Sequence, residues 1–211
     1  MSLIIKQFEI GPLNNFLYLL GDEETKEMAI VDPAWQPELL MNAAEELGYT
    51  ITKVFLTHGH PDHVNGLPDV LAKYNVPVYL SEAEPDFLTP DCDDHLVRVA
   101  KNEQVTLGNI TFDTLLCPGH TPGCQCFLYD GHLIAGDVIF IDGCGRCDLK
   151  GGDPAAMYDS LRNVIMTLPD ETIIYCGHNY GPTPTDTIGH QKQTNPYLQP
   201  QTKEEFLYQR M

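Results

Sequence analysis

The sequence predicts an α+β fold, in which helices pack against β-sheets, on the basis of two patterns. Short apolar segments bounded by glycine, proline or asparagine predict strands at 3–8, 16–20 and 27–31. Helical and extended patterns then alternate along the chain, which indicates helices packed on a sheet. The alternating elements are a helix over 37–48, a strand over 53–57, a helix over 66–74 and a strand over 77–80.

Two helices are predicted from their ends as well as from their apolar stripes. Pro37 stands near the start of the helix over 37–48, and Gly48 closes it. Asp153 and Pro154 supply the N-cap and the first helical position of a helix over 153–168.

The second half of the chain is otherwise rich in short strands. Segments within 104–116 and 124–135 have strand composition, and the Asp130-Gly131 pair predicts a hairpin. A further strand is expected over 172–176, and the tail over about 184–211 is expected to form one or two short helices. We expect residues 1–211 to form a single domain, because this tail is too short to fold independently.

Composition places the chain among ordinary globular proteins. Of its 211 residues, 43% are hydrophobic and 20% are charged, and the net charge is −18. This charge repels polyanions, so nucleic acid and anionic membranes are not expected as partners. The N-terminus lacks the pattern of a secretory signal, and no segment approaches a membrane span, so we expect a soluble, cytoplasmic protein.

Cysteine usage agrees with that expectation. Seven cysteines are an odd set in a chain of this size, which favours reduced thiols in a cytoplasm. Cys144 and Cys147 have C-x-x-C spacing. A tight turn next to Gly143 and Gly145 is favoured there over a redox or structural zinc role.

A histidine-rich loop directly follows the strand predicted over 53–57. His58, His60, Asp62 and His63 lie within six positions there, in the order H-x-H-x-D-H. A strand end that leads into a helix can direct these side chains into one small volume, and imidazoles and carboxylates are ligands of zinc. The alternative is a solvated, histidine-rich turn. The cluster and its strand context together favour a site for more than one ion.

Three later residues repeat this placement at strand ends. His120 lies on a stiff turn rich in proline and glycine, and Asp137 and His178 each follow a predicted strand. Each residue alone would more often be a turn residue, but together with the first loop they are expected to be ligands.

Asp32 ends the strand over 27–31 and precedes Pro33, and two interpretations of it stay open. Its carboxylate could orient a metal-bound histidine from outside the ligand set. It could equally bond its own backbone in a turn.

Other polar features are assigned no chemistry. Segment 81–103 is rich in carboxylates, Asp93 among them, and is expected to be an exposed, mobile excursion that could lie over the site. His95, His132 and His190 have no ligand-spaced partner and are left out of the site.

These motifs resemble those of the metallo-β-lactamase superfamily, in the family's order and over most of the chain. The matching segments are Thr57-His58-Gly59-His60-Pro61-Asp62-His63, Pro118-Gly119-His120-Thr121-Pro122-Gly123, Gly136-Asp137-Val138-Ile139-Phe140 and Cys176-Gly177-His178-Asn179-Tyr180. The resemblance implies an αβ/βα sandwich, two mixed β-sheets face to face with helices outside. The chain looks most similar to the glyoxalase II group, the hydroxyacylglutathione hydrolases, because Gly143-Cys144-Gly145-Arg146 follows the third segment.

The resemblance also implies how the ligands divide. One metal ion would be held by His58, His60 and His120, the other by Asp62, His63 and His178, and Asp137 would bridge the two. An intact His63 favours a zinc pair over a redox pair, with iron as the alternative metal. The implied reaction is hydrolysis of a thioester by a metal-bound hydroxide, with Asp62 orienting the water or accepting its proton.

The resemblance implies a substrate-binding role for Arg146 and Tyr180, which would hold the thiol half of the substrate. A surface ion pair is the alternative for Arg146. The expected substrate is a small-molecule or glutathione-type thioester. A thioester of a carrier protein also stays open, because glyoxalase II proper carries a longer helical C-terminal region than this sequence shows.

Two other functions stay open. A persulfide dioxygenase would hold a single iron at the residues matching His58, His120 and Asp137. Such enzymes typically continue the arginine with Thr-Asp-Phe, whereas Arg146 is followed here by Cys-Asp-Leu, which favours hydrolysis. A non-catalytic metal-binding module is the third class, disfavoured because every ligand position holds a usable residue.

Overall fold

The computed structural model describes residues 2–92 and 94–210, which fold into two six-stranded β-sheets with helices on their outer faces. No helix within these residues has the length and apolar composition needed to cross a membrane. The ligand loops all belong to connections between strands, so the order and direction of the strands decide where these loops meet.

The N-terminal half of the chain builds the first sheet. Its strands lie in sequence order: β1 (Leu3–Ile10), β2 (Asn15–Asp22), β3 (Glu27–Val31), β4 (Thr50–Phe55), β5 (Val78–Ser81) and β6 (Leu96–Val99). Strands β1 to β3 pair antiparallel, whereas β3 to β6 pair parallel. The parallel crossovers contain α1 (Pro37–Glu46), α2 (Pro61–Val64) and α3 (Leu67–Lys73). The carboxyl ends of β3, β4 and β5 therefore lie at one edge of the sheet.

The C-terminal half builds the second sheet. Its strands are β7 (Gln104–Leu107), β8 (Ile110–Leu116), β9 (Gln125–Tyr129), β10 (His132–Gly136), β11 (Ile173–Cys176) and β12 (Thr185–Thr187), in the reverse order across the sheet. Only β10 and β11 pair parallel, joined by a crossover through α4 (Pro154–Asn163). Helices α5 (Ile188–Thr194) and α6 (Lys203–Arg210) follow β12. The carboxyl ends of β10 and β11 are thus neighbours.

Three apolar layers hold these elements together. Between the sheets, Phe55 of β4 stacks on Phe127 of β9 with ring centroids 5.0 Å apart, and each such ring contributes roughly 1.5–3 kcal/mol by its burial. A second layer packs α1 and α3 on the first sheet, and a third packs α4 and α6 on the second. The order is helix, sheet, sheet, helix, which confirms the predicted αβ/βα sandwich.

The predicted elements are present with ends shifted by a few residues, apart from two differences in the second half. The helix predicted over 153–168 ends at Asn163 and continues as a single 3-10 turn over Ile165–Thr167. The tail begins with β12, which pairs antiparallel with β11. The sequence of β12 has no alternating apolar pattern from which a strand could be predicted. Helices α5 and α6 then occupy the region expected to be helical.

Segment 81–103 corrects an expectation. It was expected to be an exposed excursion, but it contains β6, which pairs parallel with β5, and it buries both Glu84 and Cys92. Its carboxylates gave it the composition of a solvated loop, while the burial comes from contacts with residues far away in the sequence. Asp93 lies outside the described residues.

Candidate metal centre

The loops at the carboxyl ends of strands from both sheets converge on one point. His58 and His60 follow β4, and α2 carries Asp62 and His63. The second sheet contributes the loop between β8 and β9 with His120, and the ends of β10 and β11 with Asp137 and His178. The structure thus brings together all seven residues that the sequence predicted as ligands, as the distances below show.

Three imidazoles form the first group, which we call the three-histidine triad: His58, His60 and His120. One ligand atom from each lies within 4.8 Å of the others, and all three side chains are buried. His60 Nδ1 lies only 2.8 Å from His120 Nε2. A single cation could accept a nitrogen lone pair from each member.

The second group, the mixed triad, combines a carboxylate with two imidazoles: Asp62, His63 and His178. Their ligand atoms also lie within 4.8 Å of one another. His63 Nε2 is 3.2 Å from His178 Nε2, and Asp62 Oδ2 is 3.4 Å from the latter nitrogen. This triad offers two nitrogens and one oxygen, a donor set that zinc accepts.

Asp137 lies between the two triads. Its Oδ2 is 3.3 Å from His120 Nε2 and 3.4 Å from His178 Nε2, while its Oδ1 is 3.5 Å from His63 Nε2. One carboxylate therefore faces ligand nitrogens of both groups, as a bridging residue must.

The donors fit two metal ions. Among the described residues, His58 Nε2 and Asp137 Oδ1 are buried and make no hydrogen bond. Buried polar atoms are nearly always paired, because leaving one unpaired costs about 1–3 kcal/mol. Pairs of ring nitrogens that face each other at 2.8 and 3.2 Å are explained if both lone pairs point at a cation.

The protonation preferences of these groups agree with metal binding. Burial, together with the neighbouring imidazoles, lowers the pKa of His58 well below its usual value and that of His60 to about 4, which keeps both rings neutral. Burial opposes ionisation of Asp137, but nearby His63 and hydrogen-bonded His178 outweigh it, so its pKa is well below the usual value. Neutral imidazoles and an ionised carboxylate are the forms that bind metals.

His63 behaves differently because carboxylates surround it. Burial alone would lower its pKa, but the charge of Asp137 and a hydrogen bond to Asp32 raise it to about 9. A ring with this pKa binds a proton at neutral pH unless a cation displaces it. A proton and a metal ion therefore compete for the mixed triad.

Outer partners fix which nitrogen of each ring faces the centre. His120 Nδ1 donates to the Arg146 carbonyl at 2.6 Å, and His178 Nδ1 donates to the Leu13 carbonyl at 2.9 Å. Since Nδ1 carries the proton in these bonds, Nε2 is the ring nitrogen that each residue can offer to a metal.

Asp32 contacts the predicted ligand His63, in agreement with the first of its two interpretations. Its buried carboxylate accepts from the Thr57 amide at 2.7 Å and the Thr57 hydroxyl at 2.6 Å, and it lies 3.1 Å from His63 Nδ1. Its backbone adopts a φ of +51°, which is unusual for a residue other than glycine. The strained turn directs the carboxylate into the protein, toward His63.

Sequence reasoning missed two residues that hold the ligand loops. Asn15 donates through Nδ2 to Asp62 Oδ2 at 3.0 Å and accepts from Trp35 Nε1 at 2.8 Å. Glu84, placed in the segment expected to be solvated, accepts hydrogen bonds from both loops of the three-histidine triad. The Asn14-Asn15 pair gave only a turn signal, and no pattern along the chain links either residue to its partner.

The triads open into a cavity of about 580 Å³ that contains both predicted substrate-binding residues. Tyr180 is half exposed and stacks on the His178 ring, with centroids 4.7 Å apart. Arg146 also lines the cavity, but its guanidinium makes two hydrogen bonds to Asp148, at 2.7 and 2.6 Å. The structure therefore places Arg146 at the cavity and also in the ion pair that was its alternative.

The three histidines left out of the site lie elsewhere. His95, His132 and His190 lie within hydrogen-bonding distance of Val76, Tyr175 and Asp186 respectively. Cys144 and Cys147 are buried free thiols on the turn after β10, and the Arg210 guanidinium contacts both sulfurs at 3.6 and 3.7 Å. Burial raises the pKa of both thiols, which makes them poor thiolates and agrees with the turn interpretation.

Curated relatives with named activities cover most of the chain. A probable polyketide biosynthesis zinc-dependent hydrolase, BaeB of Bacillus velezensis, is 31% identical over 194 residues, which covers 92% of this chain and 86% of the relative. Human mitochondrial persulfide dioxygenase ETHE1 is 33% identical over 190 residues, covering 87% and 71%. A hydroxyacylglutathione hydrolase of Thermosynechococcus vestitus is 36% identical over 170 residues, covering 79% and 64%.

A solved structure and a family model agree with these relatives. The crystal structure of ETHE1 from Myxococcus xanthus matches with a TM-score of 0.89 at 32% identity, over 97% of this chain and 88% of that one. The model of the metallo-beta-lactamase superfamily matches residues 10–178, which hold both triads and Asp137. The chain belongs to the metallo-beta-lactamase superfamily.

Proposed function

We propose that this protein is a thioester hydrolase that works with two metal ions, similar to glyoxalase II. The observation that carries the proposal is the pair of triads that share Asp137 at the base of one open cavity. Each ion would have its own three ligands, and both ions would face the same substrate space.

The ligand assignment follows the two triads. The three-histidine triad would hold one ion, the mixed triad would hold the other, and Asp137 would be shared between them. Bound together, two such ions supply Lewis acidity and lower the pKa of a water molecule to near neutrality.

Asp62 is the proposed catalytic residue among the chain's own groups. It lines the cavity and is about one-fifth exposed, so its carboxylate is accessible to water. Asn15 holds its Oδ2 at 3.0 Å, which fixes its orientation toward the mixed triad. Asp62 can therefore orient an attacking water and accept its proton.

Thioesters suit this site because they need little help to lose their thiol. A thiol has a pKa near 8.5, so the thiolate leaves without a strong general acid. No protonated acid beside the triads is needed for this step. Two of the relatives are named as hydrolases, of hydroxyacylglutathione and in polyketide biosynthesis.

The cavity wall favours a small-molecule substrate with an apolar portion. Leu13, Phe140, Leu149, Tyr180 and Tyr197 line it, and Arg146 adds one cation. A glutathione-type carboxylate could bind Arg146, and a thioester of a carrier protein could enter through the open mouth. The net charge of −18 disfavours nucleic acid and anionic membranes as partners.

We assign zinc as the metal and the cytoplasm as the location. The donor set of five imidazoles and two carboxylates is one that zinc accepts, and BaeB is named as zinc-dependent. Six buried cysteines are free thiols, namely Cys117, Cys124, Cys126, Cys144, Cys147 and Cys176, which suits a reducing compartment.

A persulfide dioxygenase is the second candidate, favoured by the match to ETHE1 in sequence and structure. An enzyme of that family would hold a single iron, and its ligands would be His58, His120 and Asp137. The residues after Arg146 support the two-metal hydrolase instead, because Cys147-Asp148-Leu149 stands where such dioxygenases typically have Thr-Asp-Phe.

Metal analysis and a substrate panel test the choice. The purified protein should contain two zinc ions per chain and should hydrolyse at least one acyl thioester of glutathione or coenzyme A. Glutathione persulfide should give no oxygen uptake. One iron per chain with persulfide-dependent oxygen uptake would overturn the proposal in favour of the dioxygenase.

A further inference from the structure

A buried carboxylate outside the ligand set joins the two loops that carry the three-histidine triad. Glu84 is only 2% exposed. Its Oε1 accepts from the Gly59 amide at 2.8 Å, and its Oε2 accepts from the Thr121 hydroxyl and the Gly123 amide, both at 2.8 Å. Gly59 stands between His58 and His60, and Thr121 follows His120. One side chain thus fixes the spacing of both loops.

The approach of these segments depends on two glycines. A Cβ on Gly59 would lie 1.6 Å from the Leu88 carbonyl oxygen, and one on Gly123 would lie 2.3 Å from the Glu84 amide nitrogen. Both distances are far inside contact range, so the loops reach Glu84 only because these positions lack side chains.

Glu84 is itself held in place from the first sheet. Arg98 of β6 donates to the carbonyls of Ser81 and Glu84 at 3.2 and 3.1 Å and to the Thr89 hydroxyl at 2.8 Å. These bonds fix the backbone on both sides of Glu84. The carboxylate is therefore a rigid link between the sheet and the ligand loops.

We propose that Glu84 is a positioning residue that sets the geometry of the three-histidine triad and leaves the mixed triad unaffected. This inference rests on the proposed function, since it assumes that the triads bind metal. The mixed triad has separate supports, because Asp32 contacts His63, Asn15 holds Asp62 and a backbone carbonyl holds His178. Loss of Glu84 should therefore affect one ion only.

Glutamine cannot replace Glu84 in this role, although it has nearly the same volume. Each carboxylate oxygen accepts from a backbone amide, Gly59 on one side and Gly123 on the other. Either orientation of a glutamine would set its N–H₂ group against one of these N–H donors. One loop would have to move away.

Asp22 offers a matched control. It is also fully buried and also accepts three hydrogen bonds, from the amides of Glu24 and Asn109 and the hydroxyl of Thr25. It lies at the opposite end of β2 from Asn15, roughly 23 Å away along the strand. D22N removes an equivalent buried charge without touching the ligand loops.

The test measures Zn²⁺ affinity by competition with a chromophoric chelator. E84Q is combined with H178A, which leaves the three-histidine triad, and separately with H120A, which leaves the mixed triad. We expect E84Q to weaken Zn²⁺ binding by about 10- to 100-fold in the H178A background. The H120A background should show no change, and D22N should show no change in either.

The outcomes separate this inference from the proposed function. Wild-type protein that binds two Zn²⁺ ions, together with equal affinities for E84Q and its parent, would overturn the role of Glu84 alone. Equal weakening in both backgrounds would also overturn it, because a general loss of structure would explain that result. Wild-type protein that binds no Zn²⁺ would overturn both proposals.

A second variant covers the case in which E84Q does not fold. T121V removes one of the three donors to Glu84 and keeps the volume of the side chain, and T121S restores the hydroxyl. T121V should lower the Zn²⁺ affinity of the three-histidine triad by a smaller factor than E84Q does. T121S should bind Zn²⁺ with wild-type affinity. Unchanged binding by T121V would count against the proposal.

Discussion

Two buried polar clusters lie at opposite ends of β2, and they differ in whether their hydrogen bonds are complete. At one end, the Asp22 carboxylate is fully buried and accepts three hydrogen bonds. Near Asn15, at the other end, His58 Nε2 and Asp137 Oδ1 make no hydrogen bond to any described residue. The protein alone satisfies the Asp22 carboxylate, whereas it leaves these two atoms of the metal centre without a hydrogen bond.

The comparison shows that burial of a charged group does not by itself mark a site. Both clusters bury carboxylates, and both must offset the cost of desolvating them. The difference lies in where the free lone pairs point. At the metal centre they converge on one small volume. The experiments below test whether this arrangement binds metal and supports activity.

The largest effect is expected from D137A, which removes the residue shared by both triads. Thioester hydrolysis should fall by more than about 100-fold, since even outer partners of metal ligands are typically worth 10- to 100-fold. D22N should lose about 1–3 kcal/mol of stability and keep its activity. Steady-state kinetics and chemical denaturation measure the two effects. If D22N lost activity at temperatures where it is folded, the Asp22 cluster would not be independent of the metal centre.

Metal removal should destabilise the protein through the same centre. Each ion bound at 100 times its dissociation constant stabilises the folded state by about 2.7 kcal/mol. Chelation should therefore lower the melting temperature of the wild type and of D22N by the same amount, and that of D137A by less. Thermal unfolding with and without chelator measures this. An equal shift in D137A would show that the stabilising ions bind elsewhere.

D32N tests the outer support of the mixed triad. Asp32 lies 3.1 Å from His63 Nδ1, and an amide there would hold the ring more weakly than a carboxylate. Zn²⁺ affinity at the mixed triad should fall by about 10- to 100-fold. Competition titration in the H120A background isolates that triad. Unchanged Zn²⁺ affinity would show that Asp32 does not support the mixed triad and that its role is limited to its hydrogen bonds with Thr57.

The metal-free protein should lose stability as pH rises. His63 has a folded pKa of about 9, raised by Asp137 and Asp32 against the effect of burial, and His178 is also raised. Because the pKa of His63 is higher in the folded protein than the value near 6.5 in the unfolded chain, its protonation stabilises the fold fully below pH 6.5. This stabilisation is lost as the pH rises to about 9. The melting temperature of chelated protein should fall over that window, and less so in D32N. Zinc-loaded protein, in which the metal replaces the proton, should not show this decline.

R146M should have the smallest effect, and it depends on the substrate. Arg146 is exposed and bound to Asp148, and exposed pairs of this kind contribute little because solvent screens them. The variant should raise KM by up to about fivefold for a thioester that carries a carboxylate, and should leave a neutral thioester unchanged. If R146M left the KM for the thioester that carries a carboxylate at its wild-type value, Arg146 would have no role beyond its ion pair with Asp148.

The sequence was sufficient to predict which side chains meet at the candidate centre, because most of them follow a strand and stand in a turn. His58, His120 and His178 all combine a chemically distinctive side chain with a local signal that places it at a sheet edge. Helices packed on sheets were also predictable, since apolar periodicity and turn residues are local properties. The αβ/βα sandwich itself was implied only by the resemblance to the superfamily.

The supports of the ligands could not be predicted in this way. Glu84 and Asn15 act on loops that are distant in sequence, and neither has a spacing that links it to its partner. Segment 81–103 was misjudged for the same reason, because its burial comes from long-range contacts. The Arg146–Asp148 pair is only two residues apart and could have been anticipated from the sequence.

Anomalous diffraction at the zinc absorption edge, from crystals of the wild-type protein, shows where zinc binds and how many ions are present. Two peaks about 3.5–4 Å apart are expected, one beside each triad, with Asp137 between them. A single peak at His58, His120 and Asp137 would contradict the two-ion hydrolase, and the absence of any peak at the triads in zinc-soaked crystals would contradict the metal centre itself.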